Sequence, residues 1–529
     1  MGAFRTWGLI LGLTLVLGRT VCGFPAAAQD LRIGVASEVT TLDPHFFHLT
    51  SNTEIHKLIY SGLVTQDANM NVVPDLAQSW RVLDSTHWEF TLRPGVTFQD
   101  GTPLTADDIA FTYMRARDVP NSPGSFLQYL KHVKSTTVVD PHTVVLETDG
   151  PDPILLNEIQ NVWIISRHIG SGATTADYNS RKAAIGTGPY RVTEWVQGDH
   201  ITLERFDGYF GPKPDWARVV YRPITNDAAR FAALISGDTD LIAAVPANDL
   251  DRLRADAALT MSAMQSNRCY FWTLDVGRTV SPLITDSDGA PMTRNPLQDV
   301  RVRRAMSMAL DRDALVSRIM LGQAVQAAQF MPDGVPGTST KLKPPRFDLA
   351  EAKKLLAEAG YPKGFGLTID APNDRYVNDA ALAQAVGQMW SRLGLHVSVD
   401  AMPKAMYFPR AVKLSFSVLF SGNSTDTSEP LSQLQYLLGT FDPAKGIGAG
   451  NFGRYSNPAL DQLLASAAIT LDNTKRAALI AQSYELAIGQ DVAVIPMLFP
   501  VTTWGMRKGI AYGGFPQEAT VASLVHKVK

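Results

Sequence analysis

The chain has 529 residues, of which 45% are hydrophobic, 9% aromatic and 19% charged; this is the composition of a globular protein and excludes disordered and fibrous classes. A single hydrophobic core stops growing at about 250–300 residues, so this length calls for at least two lobes. Lys and Arg number 48 against 51 Asp and Glu, a formal charge of −3, and no basic run stands out, so charge favours neither nucleic-acid nor anionic-membrane binding.

Residues 1–28 read as an export signal: Arg5 precedes an apolar run from Trp7 to Gly18, and Ala26, Ala27 and Ala28 offer a small-residue cleavage site. The apolar run is shorter than the roughly 20 residues that span a bilayer, and no later uncharged stretch reaches that length, so no membrane insertion of the mature chain is expected. Arg19, Thr20 and Val21 before Cys22 lack the small-residue pattern of a lipid-anchored leader. Cleavage takes Arg5 and Arg19 with it, which moves the charge from −3 to −5 and leaves Cys269 without a disulfide partner. Cys269 is expected to be a buried small hydrophobe.

Residues 31–36 form the first predicted strand. Two strand-like runs over 86–98 flank the turn pair Pro94-Gly95, and a helix follows with Thr105 as its cap and Asp108 in a capping box. Further strands are predicted over 142–148 and over 190–206, the latter a hairpin turning at Gly198-Asp199. Gly186 and Gly188 are expected to supply turn conformations that a side chain would forbid. Beyond residue 296 helices are predicted over 299–310, 311–321, 348–359, 378–393, 458–469 and 473–488. Asp348 caps the third of these, and Gly360 with Pro362 ends it. Strands over 365–371, 395–401 and 415–422 alternate with the helices, which predicts βαβ units and a largely parallel sheet in the second lobe. No Pro/Ser-rich linker separates the lobes, so strands crossing between them are expected to act as a hinge.

No HExxH, CxxC, Walker A or GxSxG motif occurs. One GxGxxG stretch, Gly448 to Gly453, follows no strand and opens no helix, so it reads as a surface loop. Asp43, His45, His48 and His56 raise a metal hypothesis, but Pro44 and two phenylalanines break a regular ligand face, and structural hydrogen bonding is the favoured reading. No cofactor is expected.

Several segments, in order, resemble family 5 of the solute-binding proteins of bacterial ATP-driven importers, the dipeptide- and oligopeptide-binding group. They are 41–45 (Thr-Leu-Asp-Pro-His), 59–64 with 74–80, 88–113, 185–195, 299–315, 347–365 and 373–397. The resemblance implies an α/β, two-lobed periplasmic-binding-protein clamshell (type II-like, cluster C) with an extra subdomain inserted in lobe 1. It assigns 29–60, 186–268 and 497–529 to lobe 1, 61–185 to the inserted subdomain and 269–496 to lobe 2. The function implied is that of a periplasmic, monomeric, non-enzymatic receptor. It would close on a short peptide and deliver it to an inner-membrane permease. The same fold with a nickel chelate, haem, opine or sugar derivative is the alternative, and an exported hydrolase is a third reading.

The resemblance also nominates site residues. Gly422, Asp426, Glu429 and Pro430 match a family segment whose Asp binds the peptide α-ammonium, with Asn423 where the family carries Trp and Thr425 beside the acid. Arg375, followed by Tyr376, matches the family's carboxylate-binding stretch; the bland reading pairs it with Asp374 or Asp379. Val39, with Glu38 and Thr40, matches a segment offering backbone pairing groups. Tyr270 and Trp504 lie in the segments expected to cross between lobes, where aromatics could wall the cleft or pack in the core. Trp88 and Trp390 are assigned to the core.

Overall fold

The computed structural model describes Gly2, residues 30–124 and residues 126–528; apart from Gly2, the export signal expected over 1–28 lies outside the described residues. The first lobe is built on the strand Leu31–Val35, which runs parallel to Arg218–Pro223 on one side and Leu241–Ile242 on the other. The hairpin of Tyr190–Val196 and His200–Arg205 continues the sheet antiparallel, turning through Gly198 at φ 77°. Leu31, Ile33, Leu203, Val219 and Tyr221 lie in one core with the helix residues Ile55, Leu58 and Ile59.

A four-stranded antiparallel sheet forms a separate layer in the order Ala77–Val82, His87–Leu92, Thr143–Thr148, Val133–Asp140. Burial alternates along its two central strands, so Trp88, Phe90, Val144 and Leu146 enter a core of their own, as period-two patterning requires. The helix Ala106–Arg115 starts where the Asp108 carboxylate accepts the Thr105 N–H at 2.9 Å. The second run expected after Pro94-Gly95 is reduced to one bridge between Thr97 and Pro103, because the chain turns again at Gly101, φ 85°.

The second lobe corrects one expectation. Its strands Gly366–Pro372, His396–Met402 and Val418–Asn423 are parallel, but Cys269–Leu274 and Val494–Arg507 are antiparallel neighbours inside the same sheet. The sheet is therefore mixed. The cause is topological: the chain enters the lobe along 269–274 and leaves along 494–507, and neighbouring strands that enter and leave by one edge must run in opposite directions. The helix Leu349–Glu358 is capped by Asp348, whose side chain accepts from Glu351 N, and Gly360 follows at φ 97°. The segment expected as a helix over 311–321 is a single turn, Arg312–Ala314, widening into a π-turn over Leu315–Ile319.

The fourteen-residue strand Val494–Arg507 belongs to both lobes. Its first part pairs with 270–273, and its last part pairs with Leu259–Gln265 and Leu241–Ile242. Ser266, Asn267 and Arg268 carry the return crossing, with Ser266 N donating to Pro500 O at 2.9 Å and Asn267 N to Pro516 O at 3.1 Å. Two side-by-side crossings of this kind join the lobes, with strand pairing on either side.

Gly186 and Gly188 are a second correction. Neither has a positive φ; a Cβ on Gly186 would stand 2.1 Å from Ile59 O, and one on Gly188 2.6 Å from Leu58 O. They are small because the backbone passes directly against the end of the helix Thr50–Ile59, where Gly188 N donates to Ile59 O at 2.9 Å. The Thr-Leu-Asp-Pro-His segment also has a structural use. Asp43, fully buried, receives Arg115 through two hydrogen bonds of 2.9 and 2.7 Å and Thr175 Oγ1 at 2.8 Å. Burial alone would push its carboxyl up, but Arg115 carries it below the usual carboxylate range. His45 Nε2 and His56 Nε2 are hydrogen-bonded to the carbonyls of Trp163 and Thr41.

Candidate functional site

The strand Val418–Asn423 delivers the chain into a loop that ends where Glu429 caps the helix Pro430–Leu437, its carboxylate accepting from Leu431 N at 2.7 Å. Pro430 at the first helical position suits the cap, since its missing N–H would be unpaired there anyway. Between these fixed ends, Thr425 and Thr427 hydrogen-bond through their hydroxyls at 2.7 Å, Asn267 Nδ2 donates to Thr425 O at 3.2 Å, and Ser428 takes φ 51°. The loop is thus held on both sides of Asp426.

Asp426 reaches across to the first lobe and its inserted layer. Tyr129 Oη donates to its Oδ2 at 3.1 Å, and His48 Nδ1 stands 3.5 Å from the same oxygen. Its backbone carbonyl accepts from Gln160 Nε2 at 3.3 Å. Next to it, Thr427 O accepts from Gln66 and Asn157, and Gln517 Nε2 bridges Gln66 Oε1 and Ser428 Oγ, both at 2.8 Å. These contacts join the two sides, so the clamshell is closed.

Behind this seam lies a cavity of about 90 Å³. The helix Thr50–Ile59 presents Thr50, Thr53 and Lys57 to it, one face at helical spacing. Phe515 and Gln517 come from the C-terminal return, Asn267 and Arg268 from the crossing, and Ser424, Thr425 and Asp426 from the second lobe. All parts of the fold therefore contribute, and no part holds the site alone.

The charges in the wall are unevenly satisfied. The Asp426 side chain keeps 52% of its exposure despite its two neighbours. Burial pushes the His48 imidazole below its ordinary range, with the Asp426 charge opposing, so neutral His48 leaves the Asp426 charge uncompensated. Burial raises the Tyr129 phenol well above its usual value, which keeps it a donor. Arg268 lies 3.5 Å from Glu518. Lys57 has its ammonium 4.6 Å above the Phe515 ring and 5.8 Å from Trp163, with its pKa lowered to about 8 by burial. Among the described residues no carboxylate reaches ion-pair distance of it.

The residues nominated from the sequence divide into three groups. Asp426 and Thr425 line the cavity. Gly422 and Asn423 close the strand just behind: a Cβ on Gly422 would meet the Tyr376 ring at 2.7 Å, Tyr376 Oη donates to Gly422 O at 2.9 Å, and Asn423 Oδ1 accepts from Gln433 at 2.8 Å. The remaining four lie outside the cavity wall. Tyr270 is buried against Tyr376 and Phe420. Trp504 is buried, donating to Thr520 Oγ1 and packed edge-on against Tyr512. Val39 belongs to the first-lobe core.

Arg375 is exposed and folds over the Tyr376 ring at 5.0 Å. Its expected ion-pair partners are used otherwise, Asp379 by the N–H groups of Arg375 and Tyr376 and Asp374 by Lys404. Sequence reasoning passed over Lys57, Arg268 and Tyr129. The spacing of Thr50, Thr53 and Lys57 on one helix is the signal that was available.

The chain matches relatives along nearly its whole length. The glutathione-binding protein GsiB of Escherichia coli K12 is 27% identical over 504 residues, covering 93% of this chain and 92% of that protein. The solved structure of HbpA2 from Haemophilus parasuis superposes with a TM-score of 0.82 at 23% identity, over 95% of this chain and all of that one. The DppA periplasmic binding protein of Helicobacter pylori, solved in complex with the peptide STSA, superposes with a TM-score of 0.73 at 22% identity, over 95% and 98% of the two chains. No helix among the described residues is long and apolar enough to cross a membrane. The model of the bacterial extracellular solute-binding proteins, family 5 (middle), matches residues 71–445, and the chain belongs to that family.

Proposed function

We propose that the chain is the periplasmic receptor of an ATP-driven importer, which closes as a monomer on a short peptide with a free α-amine and hands it to an inner-membrane permease. Asp426 carries this reading. It is an anion fixed by its loop, bordered by a neutral imidazole and a phenol donor, and half exposed at the seam where the lobes meet. A half-exposed carboxylate so placed can take a ligand ammonium as a charge-assisted partner, which is stronger than a neutral hydrogen bond. The relatives support the class: one is named for glutathione, itself a small peptide, and another was solved with a peptide bound. The role is capture without turnover, as family membership suggests.

The test compares free-amine and N-acetylated di- and tripeptides by calorimetry. Asp426→Ala is expected to lose at least about tenfold in affinity for the free amines, in line with the worth of a charge-assisted hydrogen bond, and little for the acetylated forms. Equal losses for both would reject the assignment. Mass spectrometry of peptides incubated with the protein is expected to reveal no new termini.

A further inference from the structure

The proposed function leaves the other end of the ligand without a partner, since Arg375 lies outside the cavity wall. Lys57 is the side chain that the structure offers instead. It lies on the same helix face as Thr50 and Thr53, whose hydroxyl-bearing side chains also line the cavity. The Phe515 and Trp163 rings hold its ammonium, and among the described residues it makes no hydrogen bond or ion pair. A cation over an aromatic face keeps part of its stabilisation without a counter-ion, and no carboxylate among the described residues stands at ion-pair distance of Lys57. The other cavity cation, Arg268, already faces Glu518.

The charges in the wall can be paired off. Asp426 is open to a cation, Lys57 is open to an anion, and Arg268 and Glu518 largely answer each other. A wall of that kind matches a zwitterion with one end at each open charge.

We infer that Lys57 is the carboxylate-binding residue of the cavity, so that the ligand is a short zwitterion with a free terminal carboxylate seated beside Phe515 and its ammonium at Asp426. The inference rests on the proposed capture of peptides and assigns the second end of the same ligand. Other charged groups bear on Lys57. Asp75 attracts it from beyond ion-pair distance while accepting Gly62 N at 2.9 Å, and His48 feels both Lys57 and Asp426. A purely structural lysine would balance Asp75 and have no preference among ligand termini.

The experiment uses the full mature chain and a set of di- and tripeptides, each as the free acid and as the C-terminal amide. The wild type is expected to bind the acids at least about tenfold more tightly than the amides. Lys57→Met keeps an unbranched stem over Phe515 and is expected to abolish that preference while retaining discrimination against N-acetylation. Lys57→Arg is expected to restore it. Thermal melts without ligand establish that each variant is folded. Equal weakening of acids and amides by Lys57→Met overturns the assignment of Lys57 but leaves capture through Asp426 standing. A wild type that binds neither form overturns both.

Discussion

The Tyr129 hydroxyl donates to Asp426 Oδ2 at 3.1 Å across the seam between the inserted layer and the second lobe. The donor comes from the short helix Leu127–Leu130 and the acceptor from the loop after Val418–Asn423. The bond therefore exists only when the clamshell is shut, and it orients the carboxylate proposed to meet the ligand amine.

Tyr129→Phe removes the donor and keeps the ring, which still packs on His48 and Phe126. Hydrogen bonds to charged groups contribute about 1.5–3 kcal/mol when buried. Asp426 is half exposed, so a loss near 1 kcal/mol is expected, about fivefold in affinity. The change should appear in the dissociation rate, because the bond forms after the lobes meet. Stopped-flow fluorescence with a free-amine peptide measures it; an unchanged release rate means that Tyr129 contributes nothing to closure.

A second prediction concerns pH. Glu54 lies on the helix that carries Lys57, but on its buried side, where Thr520 N donates to its Oε1 at 2.7 Å. Burial raises its pKa to about 8, with the Thr520 hydrogen bond opposing. The unfolded carboxyl titrates near 4.5, so between these values the folded state holds a proton that the unfolded state has released. Stability therefore falls as pH rises across that window, by up to about 1.4 kcal/mol per unit from this group, and levels off above about 8. Glu54→Gln keeps the acceptor and removes the titration. Its stability relative to the wild type should rise steadily between pH 5 and pH 8 in urea melts. A constant difference across that range would show that Glu54 is ionised in the folded protein.

Much of this architecture is legible because it is locally encoded. Asp348, Asn457 and Asp472 each sit one residue before the helix they cap, and Asp426 is nominated by a resemblance to a family segment that Gly422, Glu429 and Pro430 carry around it. Lys57 carries no cap or motif, and only its helical spacing from Thr50 and Thr53 marks it. What makes it unusual is Phe515 and Trp163, which lie far along the chain and reach it only through the fold. Arg375 shows the converse. The sequence places it correctly at the end of a strand, but the direction of its side chain depends on the Tyr376 ring, which in turn is held by Gly422 O. The mixed second sheet escapes sequence reading for a related reason: strand direction there follows from where the chain crosses the hinge.

Gly186 and Gly198 separate two causes of glycine use within one lobe. Gly198 turns the hairpin at φ 77° with open space around it, so Gly198→Ala costs only the left-handed backbone, about 1–2 kcal/mol. Gly186 has an ordinary φ, yet its Cβ would stand 2.1 Å from Ile59 O and 2.8 Å from Ile59 C. Those are backbone atoms at the end of the helix bearing Thr50, Thr53 and Lys57, and they cannot swing aside as a side chain would. Gly186→Ala must therefore displace the helix or the 186–189 segment, at a cost of about 3 kcal/mol or more. The displaced helix carries part of the cavity wall, so ligand affinity should fall along with stability. Gly198→Ala should leave affinity unchanged. Urea melts and calorimetry on the two variants check both halves; a Gly186→Ala protein as stable as Gly198→Ala would show that the helix terminus is free to move.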